Sequence, residues 1–361
     1  MKNDQGKSIP IEQIIYRYFV KYARLNQLIP VAYKGSNATR LNIFIDIYGL
    51  YKTICSRSYR TSTTDFTSFT STIINMCSHY REYFKQIGVY TKIFLISSFN
   101  IPEANGKFVA GYNKTMIDKL KNNSVMEIVN MNIDLLNLLC PYLPDIHFIH
   151  TTVESSTMIA HIIDLEKSKG NNNPNMIISS DIYPIQLCIK YPQTTLLHPK
   201  KYMGEDLSEI VCPRESDIFY HSFWGTICKK DRDSLENAID SIRISPVNFS
   251  LLETLNRFPE RNLKLIYNVK VAERIIYDVV GSENTKISLE SLYNISKELS
   301  VVPYVTLESR YKVIDLDYQL SLFKNSVESL TVTYDNLNDP EAVQMINSQY
   351  FQSNPIDLFR L

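Results

Sequence analysis

Residues 41–51, LNIFIDIYGLY, begin as an apolar β-type run that ends in a single carboxylate, Asp46. Two later segments repeat this design: VESSTMIAHII carries Glu154, and MIISSDIYPIQL carries Asp181. In an open α/β sheet the functional crevice lies at the carboxyl ends of the strands, where loops converge beside helix N-termini. The pattern therefore predicts that three carboxylates, far apart in the chain, meet at one mouth of a sheet.

Strand and helix patterns alternate along the first part of the chain. Short apolar runs predict buried strands, and apolar residues at helical spacing predict helices. Four such alternations predict an α/β fold, with a mainly parallel central sheet and helices on both faces. We predict strands at 42–47, 91–97, 145–150, 176–179 and 194–198, and helices at 10–28, 64–87, 125–139, 156–167 and 184–190.

The pattern changes near Ser216, where strands give way to helical segments. We predict an α/β core with an N-terminal helix over residues 1–215 and a mainly helical part over residues 216–361. The sequence has neither an internal repeat nor a long low-complexity linker. The expected organisation is therefore a core with a helical second region.

Composition is typical of a soluble intracellular protein. Of the 361 residues, 44% are apolar, yet no run reaches the roughly 20 apolar residues of a membrane span. The 38 basic and 38 acidic residues cancel, so any phosphate-binding surface must be local. Six cysteines without a CxxC pair, and a polar N-terminus without a signal-peptide core, predict a cytoplasmic or other reducing location without a membrane partner. The 10 glycines, with abundant Ile, Asn, Lys and Tyr, favour an AT-rich viral or phage genome, and association with a virus particle is compatible with this.

Motifs at the predicted strand ends point to a known family. They are FIDIYGLY with Asp46, FLISSFNIP with Ser97 and Ser98, ESST starting at Glu154, and SSDIYPIQL with Asp181. In this order they resemble the 5′-nuclease superfamily, which includes flap endonucleases, phage 5′-3′ exonucleases and, more distantly, PIN domains. The corresponding family motifs are an Asp, an Asp before a loop with Pro, an EADD-type run and SxDxDxxQL. The resemblance implies a metal-dependent phosphodiesterase site.

In that superfamily, two divalent cations are held in a nest of carboxylates. This chain keeps Asp46, Glu154 and Asp181, to which the resemblance assigns catalysis and metal binding. The other acidic positions carry hydroxyls, which are neutral ligands: Ser97 or Ser98, Ser156, Thr157 and Tyr183. The three carboxylates could hold one Mg²⁺ or Mn²⁺ ion, but they do not supply the charge for a pair. We therefore expect a two-metal site that is impaired or lost.

A basic segment with interleaved aromatic residues follows the second predicted strand. Lysines contact phosphates and aromatic rings stack on bases, so this composition suits single-stranded DNA or RNA; a solvated loop is the alternative. A second segment, IYNVKVA, resembles the superfamily's helix-three-turn-helix turn but lacks both glycines, so a phosphate contact there would come from a side chain. The candidate nucleic-acid contacts are Lys107, Tyr112, Lys114, Lys119 and Lys270.

Three functions are compatible with these motifs. The first is a nuclease-like protein that binds DNA or RNA as a scaffold or accessory factor. The second is an active Mg²⁺- or Mn²⁺-dependent 5′-nuclease or endonuclease, in which Lys114 steadies the scissile phosphate. The third is a structural protein of a virus particle or replication complex that keeps the fold as a surface for protein partners.

Ordinary structural roles are the alternative for each residue taken alone. A single Asp at a strand end most often caps a turn or a helix. His147 and His150 lie three residues apart in a predicted strand, so they point to opposite faces and lack zinc-type spacing. We expect structural roles for both histidines.

Overall fold

The computed structural model describes the α/β core and one helix from the C-terminal region. The described residues are 39–55, 65–98, 125–151, 153–179, 184–191, 193–197, 201–202, 205–206, 312, 315–326, 341 and 345. The predicted helix at 10–28 and the basic segment after the second strand lie outside them, as does most of the region 216–361. The predicted division at residue 215 therefore stays a prediction.

The sheet contains β1 (Arg40–Asp46), β2 (Tyr90–Ser97), β3 (Ile146–His150), β4 (Asn175–Ile178) and β5 (Thr194–Leu197). Within the described residues these five strands are all parallel, in the order β3-β2-β1-β4-β5. All five predicted strands are confirmed, each to within two residues at either end. A short antiparallel pair, β6 (Lys201–Tyr202) and β7 (Glu205–Asp206), follows the sheet.

Five described helices lie between successive strands of the sheet, and a sixth follows much later in the chain. They are α1 (Ile47–Cys55) and α2 (Asp65–Gln86) before β2, α3 (Val125–Leu139) before β3, α4 (Ser155–Ser168) before β4, α5 (Ile185–Lys190) before β5, and α6 (Leu316–Ser326). The predictions for α2, α3, α4 and α5 are confirmed, whereas α1 was not predicted. No helix in the described part of the chain is long and apolar enough to span a bilayer.

The sheet buries both of its faces. Ile43 and Ile45 of β1 belong to the main apolar core, together with residues of α1, α2 and α3. Successive side chains of a strand point to opposite faces, so Phe44 lies on the other side. There it stacks on Phe94 of β2, with ring centroids 4.9 Å apart. The fold is thus the predicted α/β class, with a parallel sheet buried on both sides.

The strand order reverses next to β1, which lies at the centre of the sheet. The chain builds outward from β1 through β2 to β3, and then returns to place β4 on the other side of β1. Because crossovers between parallel strands are right-handed, this reversal puts the later helices on the opposite face. A crevice forms at the carboxyl ends of the strands at such a point.

Gly88 ends α2 and sets the start of β2. Its φ of 78° lies in the left-handed region, where glycine carries no Cβ penalty. The N–H of Val89 donates to the carbonyl of Phe84 at 2.9 Å, and the N–H of Gly88 donates to that of Lys85 at 3.0 Å. These two bonds form a Schellman motif, which stops the helix and turns the chain toward the sheet.

The C-terminal region returns to the core through α6, which packs on α4. Leu316 and Leu320 of α6 are buried. Asp315 caps the helix, since its Oδ1 accepts a hydrogen bond from the N–H of Tyr318 at 2.7 Å. At least one helix of the predicted helical region is therefore part of the body that contains the sheet.

Candidate functional site

Asp46 is the last residue of β1, at the point where the strand order reverses. Its side chain is only 2% exposed. Oδ1 accepts a hydrogen bond from the N–H of Tyr48 at 3.1 Å, so the carboxylate caps the first turn of α1. Asp46 therefore has the capping role expected of a single Asp at a strand end. Its other contacts show whether it also belongs to a functional site.

Serine hydroxyls surround the Asp46 carboxylate. Ser155 Oγ donates to Oδ1 at 2.9 Å, and Ser179 Oγ donates to Oδ2 at 2.8 Å. Ser98 Oγ lies 2.6 Å from Ser155 Oγ and extends the cluster by one hydroxyl. We call Ser98, Ser155 and Ser179 the hydroxyl shell. All three serines are buried, so the fold holds their hydroxyls in place.

Three different strand ends deliver the hydroxyl shell. Ser98 follows β2, Ser179 follows β4, and Ser155 opens α4 behind β3. Ser155 and Ser179 are separated from Asp46 by 109 and 133 residues. The segments that carry Glu154 and Asp181 thus reach Asp46 through Ser155 and Ser179, while the predicted meeting of the three carboxylates stays a prediction. The amino end of α4 also directs its positive dipole end toward this carboxylate.

Glu154 directly precedes the hydroxyl shell residue Ser155. It occupies the N-cap position of α4 with φ −57° and ψ 141°, but its side chain does not cap the helix. The side chain is partly exposed, in contrast to Asp46. Glu154 thus adjoins the hydroxyl shell in the chain, one residue before Ser155. Asp181, the third predicted carboxylate, lies outside the described residues.

The described side chains do not make up a two-cation centre. Hydrolysis by two metals needs several carboxylates around the ions, because hydroxyls bring no negative charge. No group of three or more His, Cys, Asp and Glu side chains that could hold a cation occurs within the described ranges. Two serine hydroxyls and one backbone N–H donate to Asp46 there. Asp46 and Glu154 are the described carboxylates that could contribute to a single-ion site.

Ser97 belongs to a different cluster from Ser98. Its Oγ lies 3.3 Å from His150 Nδ1, at the ends of the paired strands β2 and β3. His147 instead stacks on Phe94, with ring centroids 5.3 Å apart, so the two histidines lie on opposite faces as predicted. Burial lowers the pKa of His150. His150 thus ends a strand at the same edge of the sheet as Asp46. Its position at the end of a predicted strand is the sequence signal that could have identified it as a candidate site residue.

Comparisons with known proteins give a weak structural likeness. The chain matches no protein-family model and no curated protein sequence. It is similar to the solved structure of T5 5′-exonuclease with bound divalent metal ions (zinc), with 12% identity, a TM-score of 0.44, and coverage of 78% of this chain and 92% of that chain. A structure of a T5 protein co-crystallised with metal ions gives 13% identity, a TM-score of 0.39, and the same two coverages. Similarity this weak establishes no family, so the chemistry of the crevice must follow from its own side chains.

Gln186, matched by the resemblance to the end of the SxDxDxxQL motif, has a structural partner. It lies on α5 and is almost fully buried. Its Oε1 accepts a hydrogen bond from the N–H of Leu316 at 3.1 Å. This contact ties the segment that follows Asp181 to the first residue of α6.

The predicted nucleic-acid contacts are not among the described residues. They are Lys107, Tyr112, Lys114, Lys119 and Lys270. Their roles therefore stay predictions, and the described site consists of the Asp46 cluster, Glu154 and the Ser97–His150 pair.

Proposed function

We propose that this protein binds DNA or RNA as a nuclease-like scaffold or accessory factor whose two-metal site is impaired or lost. The observation that carries the proposal is the hydroxyl shell around Asp46. A carboxylate at the mouth of a parallel sheet occupies the position expected of a catalytic acid. Its described neighbours from two other strand ends are serines, and serines cannot balance the charge of two divalent ions.

Charge supports this interpretation. Two divalent cations carry four positive charges, which a nest of carboxylates must largely offset before a phosphate diester is bound. Asp46, Glu154 and Asp181 would supply three negative charges at most. Loss of the second ion is therefore the expected consequence.

Binding without cleavage is chemically reasonable for such a crevice. Affinity for nucleic acid comes largely from phosphate contacts with lysine and arginine, which do not depend on the metals. The predicted basic segment with Lys107 and Lys114 would provide these contacts, and its aromatic residues would stack on bases. A scaffold could therefore retain the substrate-binding surface after losing the charge needed for hydrolysis.

The test is a parallel measurement of binding and cleavage. Fluorescence anisotropy with single-stranded, duplex and 5′-flap DNA, and with the matching RNAs, should show binding at low salt that weakens as salt rises. The same oligonucleotides should remain intact in Mg²⁺ or Mn²⁺. Absence of binding to every oligonucleotide at low salt would overturn the proposal.

An active single-ion nuclease is the second candidate, and the position of Glu154 favours it. Glu154 directly precedes Ser155 of the hydroxyl shell, is partly exposed and does not cap its own helix. With Asp181 it could help hold one Mg²⁺ or Mn²⁺ ion, which would supply a Lewis acid and an activated water. Cleavage that Asp46→Asn abolishes, and that the exposed control Asp134→Asn leaves intact, would establish this function. Equal cleavage by both variants would indicate a contaminating nuclease.

A further inference from the structure

A tyrosine and an arginine form an exposed pair at the edge of the sheet opposite the crevice. Tyr90 is the first residue of β2 and Arg40 is the first residue of β1, and the two residues are partners in the parallel register. Because β1 has seven residues, this edge lies roughly 20 Å from Asp46. We call Arg40 and Tyr90 the amino-edge pair. The pair is therefore separate from the candidate site at the carboxyl ends of the strands.

The side chain of Tyr90 is anchored although it is 51% exposed. Its hydroxyl donates to Oδ1 of Asp145, the residue before β3, whose φ of 61° lies in the left-handed region. Arg81 holds this residue in place: Nη2 lies 3.9 Å from Asp145 Oδ2, and Nη1 donates to the carbonyl of Pro144 at 2.9 Å. An exposed ring that is already fixed loses little conformational freedom when a ligand binds.

The guanidinium of Arg40 lies over the Tyr90 ring, with Cζ 5.9 Å from the ring centroid. This is a cation–π contact, which orients the guanidinium without using its hydrogen-bond donors. Arg40 is exposed, and no acceptor within the described ranges bonds to its five N–H groups. Since these donors form a planar fork that matches two oxygens of a phosphate or a carboxylate, Arg40 is suited to bind an anion.

A fixed aromatic ring beside a forked cation fits a ligand that joins a planar group to an anion. A nucleotide is such a ligand, because its base stacks on aromatic rings and its phosphate accepts hydrogen bonds from arginine. An acidic peptide would satisfy Arg40 alone and would leave the anchored ring without a planar partner. A base in a duplex is already stacked between its neighbours, so a single strand fits the pair better than a duplex does.

We propose that the amino-edge pair is a second contact site for single-stranded nucleic acid, in which a base stacks on Tyr90 and an adjacent phosphate is held by Arg40. This inference rests on the proposed nucleic-acid binding and adds a contact outside the crevice. Every base has a π-face, so the site accepts DNA and RNA of any sequence. The anchor through Asp145 and Arg81 positions the ring and does not itself touch the ligand.

The first experiment tests stacking by fluorescence anisotropy with a single strand and with the blunt-ended duplex of the same sequence. Tyr90→Leu removes the ring and keeps an apolar side chain, so the affinity for the single strand should fall roughly 5- to 100-fold. Tyr90→Phe keeps the ring and loses only the anchor, so its loss should be smaller. The exposed control Leu138→Ala should bind as the unaltered protein does. Equal weakening of the single strand and the duplex by Tyr90→Leu would overturn stacking.

The second experiment tests the phosphate contact through the salt dependence of single-strand binding. Arg40→Gln removes one cation from the complex, so the slope of log affinity against log salt concentration should become shallower by about 0.7. Arg40→Lys is the matched control, because it keeps the charge and should keep the slope, while loss of the planar fork lowers the affinity at every salt concentration. A slope in Arg40→Gln equal to that of the unaltered protein would overturn the phosphate contact.

The two proposals fail in different ways. If no oligonucleotide binds the unaltered protein, both the proposed function and the amino-edge site are overturned. If single strands bind equally well to the unaltered protein, Tyr90→Leu and Arg40→Gln, only the amino-edge site is overturned. A labelled oligoglutamate peptide tests the alternative ligand. Peptide binding that both variants weaken, with single-strand binding unchanged, would identify a protein-docking surface and would also overturn the amino-edge site.

Discussion

Asp46 has hydrogen-bond donors on both of its oxygens, and this makes the effect of its replacement predictable at the scale of one residue. In Asp46→Asn the new Nδ2 would face a serine hydroxyl or an N–H that now donates to the carboxylate. We expect the free energy of unfolding, measured in urea, to fall by roughly 1 to 3 kcal/mol. Asp134→Asn, on the exposed side of α3, should have almost no effect.

The sign of this change is informative. A cluster of several carboxylates held for metal would be relieved of repulsion by the same substitution, so the metal-free protein would become more stable. Stabilisation by Asp46→Asn would therefore contradict the view that hydroxyls dominate the site.

Introducing an acid into the hydroxyl shell should create a response to metal. Ser155→Asp places a second carboxylate beside Asp46, at the first position of α4. Without metal the like charges should lower the melting temperature, and Mn²⁺ should raise it again by binding the folded state. Ser155→Asn, which has the same size without the charge, should show no such recovery. Equal Mn²⁺ shifts in both variants would count against the prediction.

His147 should make stability depend on pH. Burial, and secondarily the charge of Lys92, lowers its pKa from 6.5 to about 4. Between these values the unfolded chain binds a proton that the folded protein does not, so stability present above pH 6.5 is lost as the pH falls toward 4. The loss attributable to His147 should approach roughly 3 kcal/mol.

The measurement is a series of urea unfolding curves between these two pH values. His147→Gln should flatten the dependence of the unfolding free energy on pH. The exposed control His79→Gln should retain the original slope. A slope in His147→Gln equal to that of the unaltered protein would show that another group is responsible.

At the scale of elements, α6 depends on its cap. Asp315 is buried and accepts a hydrogen bond from the N–H of Tyr318. Asp315→Ala should cost about 1 kcal/mol, while Asp315→Asn keeps an accepting oxygen and should cost less than half of that. Hydrogen exchange of α6 amides would locate the effect. Equal losses in the two variants would indicate that packing, not capping, is affected.

The elements themselves show where sequence reasoning succeeds and where it fails. Parallel strands buried on both faces are continuous apolar runs, so all five could be predicted. Helix α1 was missed, although Ile47, Leu50, Tyr51 and Ile54 have helical spacing. A short run rich in aromatic and β-branched residues has weak helix propensity and also suits a strand. Only the cap that Asp46 provides shows where the strand stops.

The meeting of the strand ends could be predicted for a similar reason. Strand ends converge whatever their side chains, so the meeting of Asp46 with the Ser155 and Ser179 segments followed from topology. Topology did not predict that Ser97 and Ser98 would join different clusters. A shift of one residue in the assumed end of β2 moves each of these side chains to the opposite face of the sheet. The partners of Tyr51 were equally inaccessible, since Asn132 is 81 residues away.

At the scale of the whole molecule, α6 joins distant parts of the chain into one body. Leu320 is buried against the core, and Gln186 bonds to Leu316 across 130 residues. Leu320→Ala should lower the unfolding free energy by about 2 to 3 kcal/mol. Hydrogen exchange should show loss of protection in α4 as well as in α6, whereas the exposed control Ser321→Ala should change neither. Loss confined to α6 would show that this helix opens independently of the core.

The central position of β1 has a consequence for synthesis of the protein on the ribosome. Asn42 of β1 and its partner Asn175 of β4 are 133 residues apart. At translation rates of about 5 to 20 residues per second, one edge of β1 stays without its neighbour for on the order of ten seconds or more. During that interval nascent chains on one messenger could pair through these open edges. Slower initiation or a lower temperature should therefore raise the soluble yield more than a change of buffer after lysis.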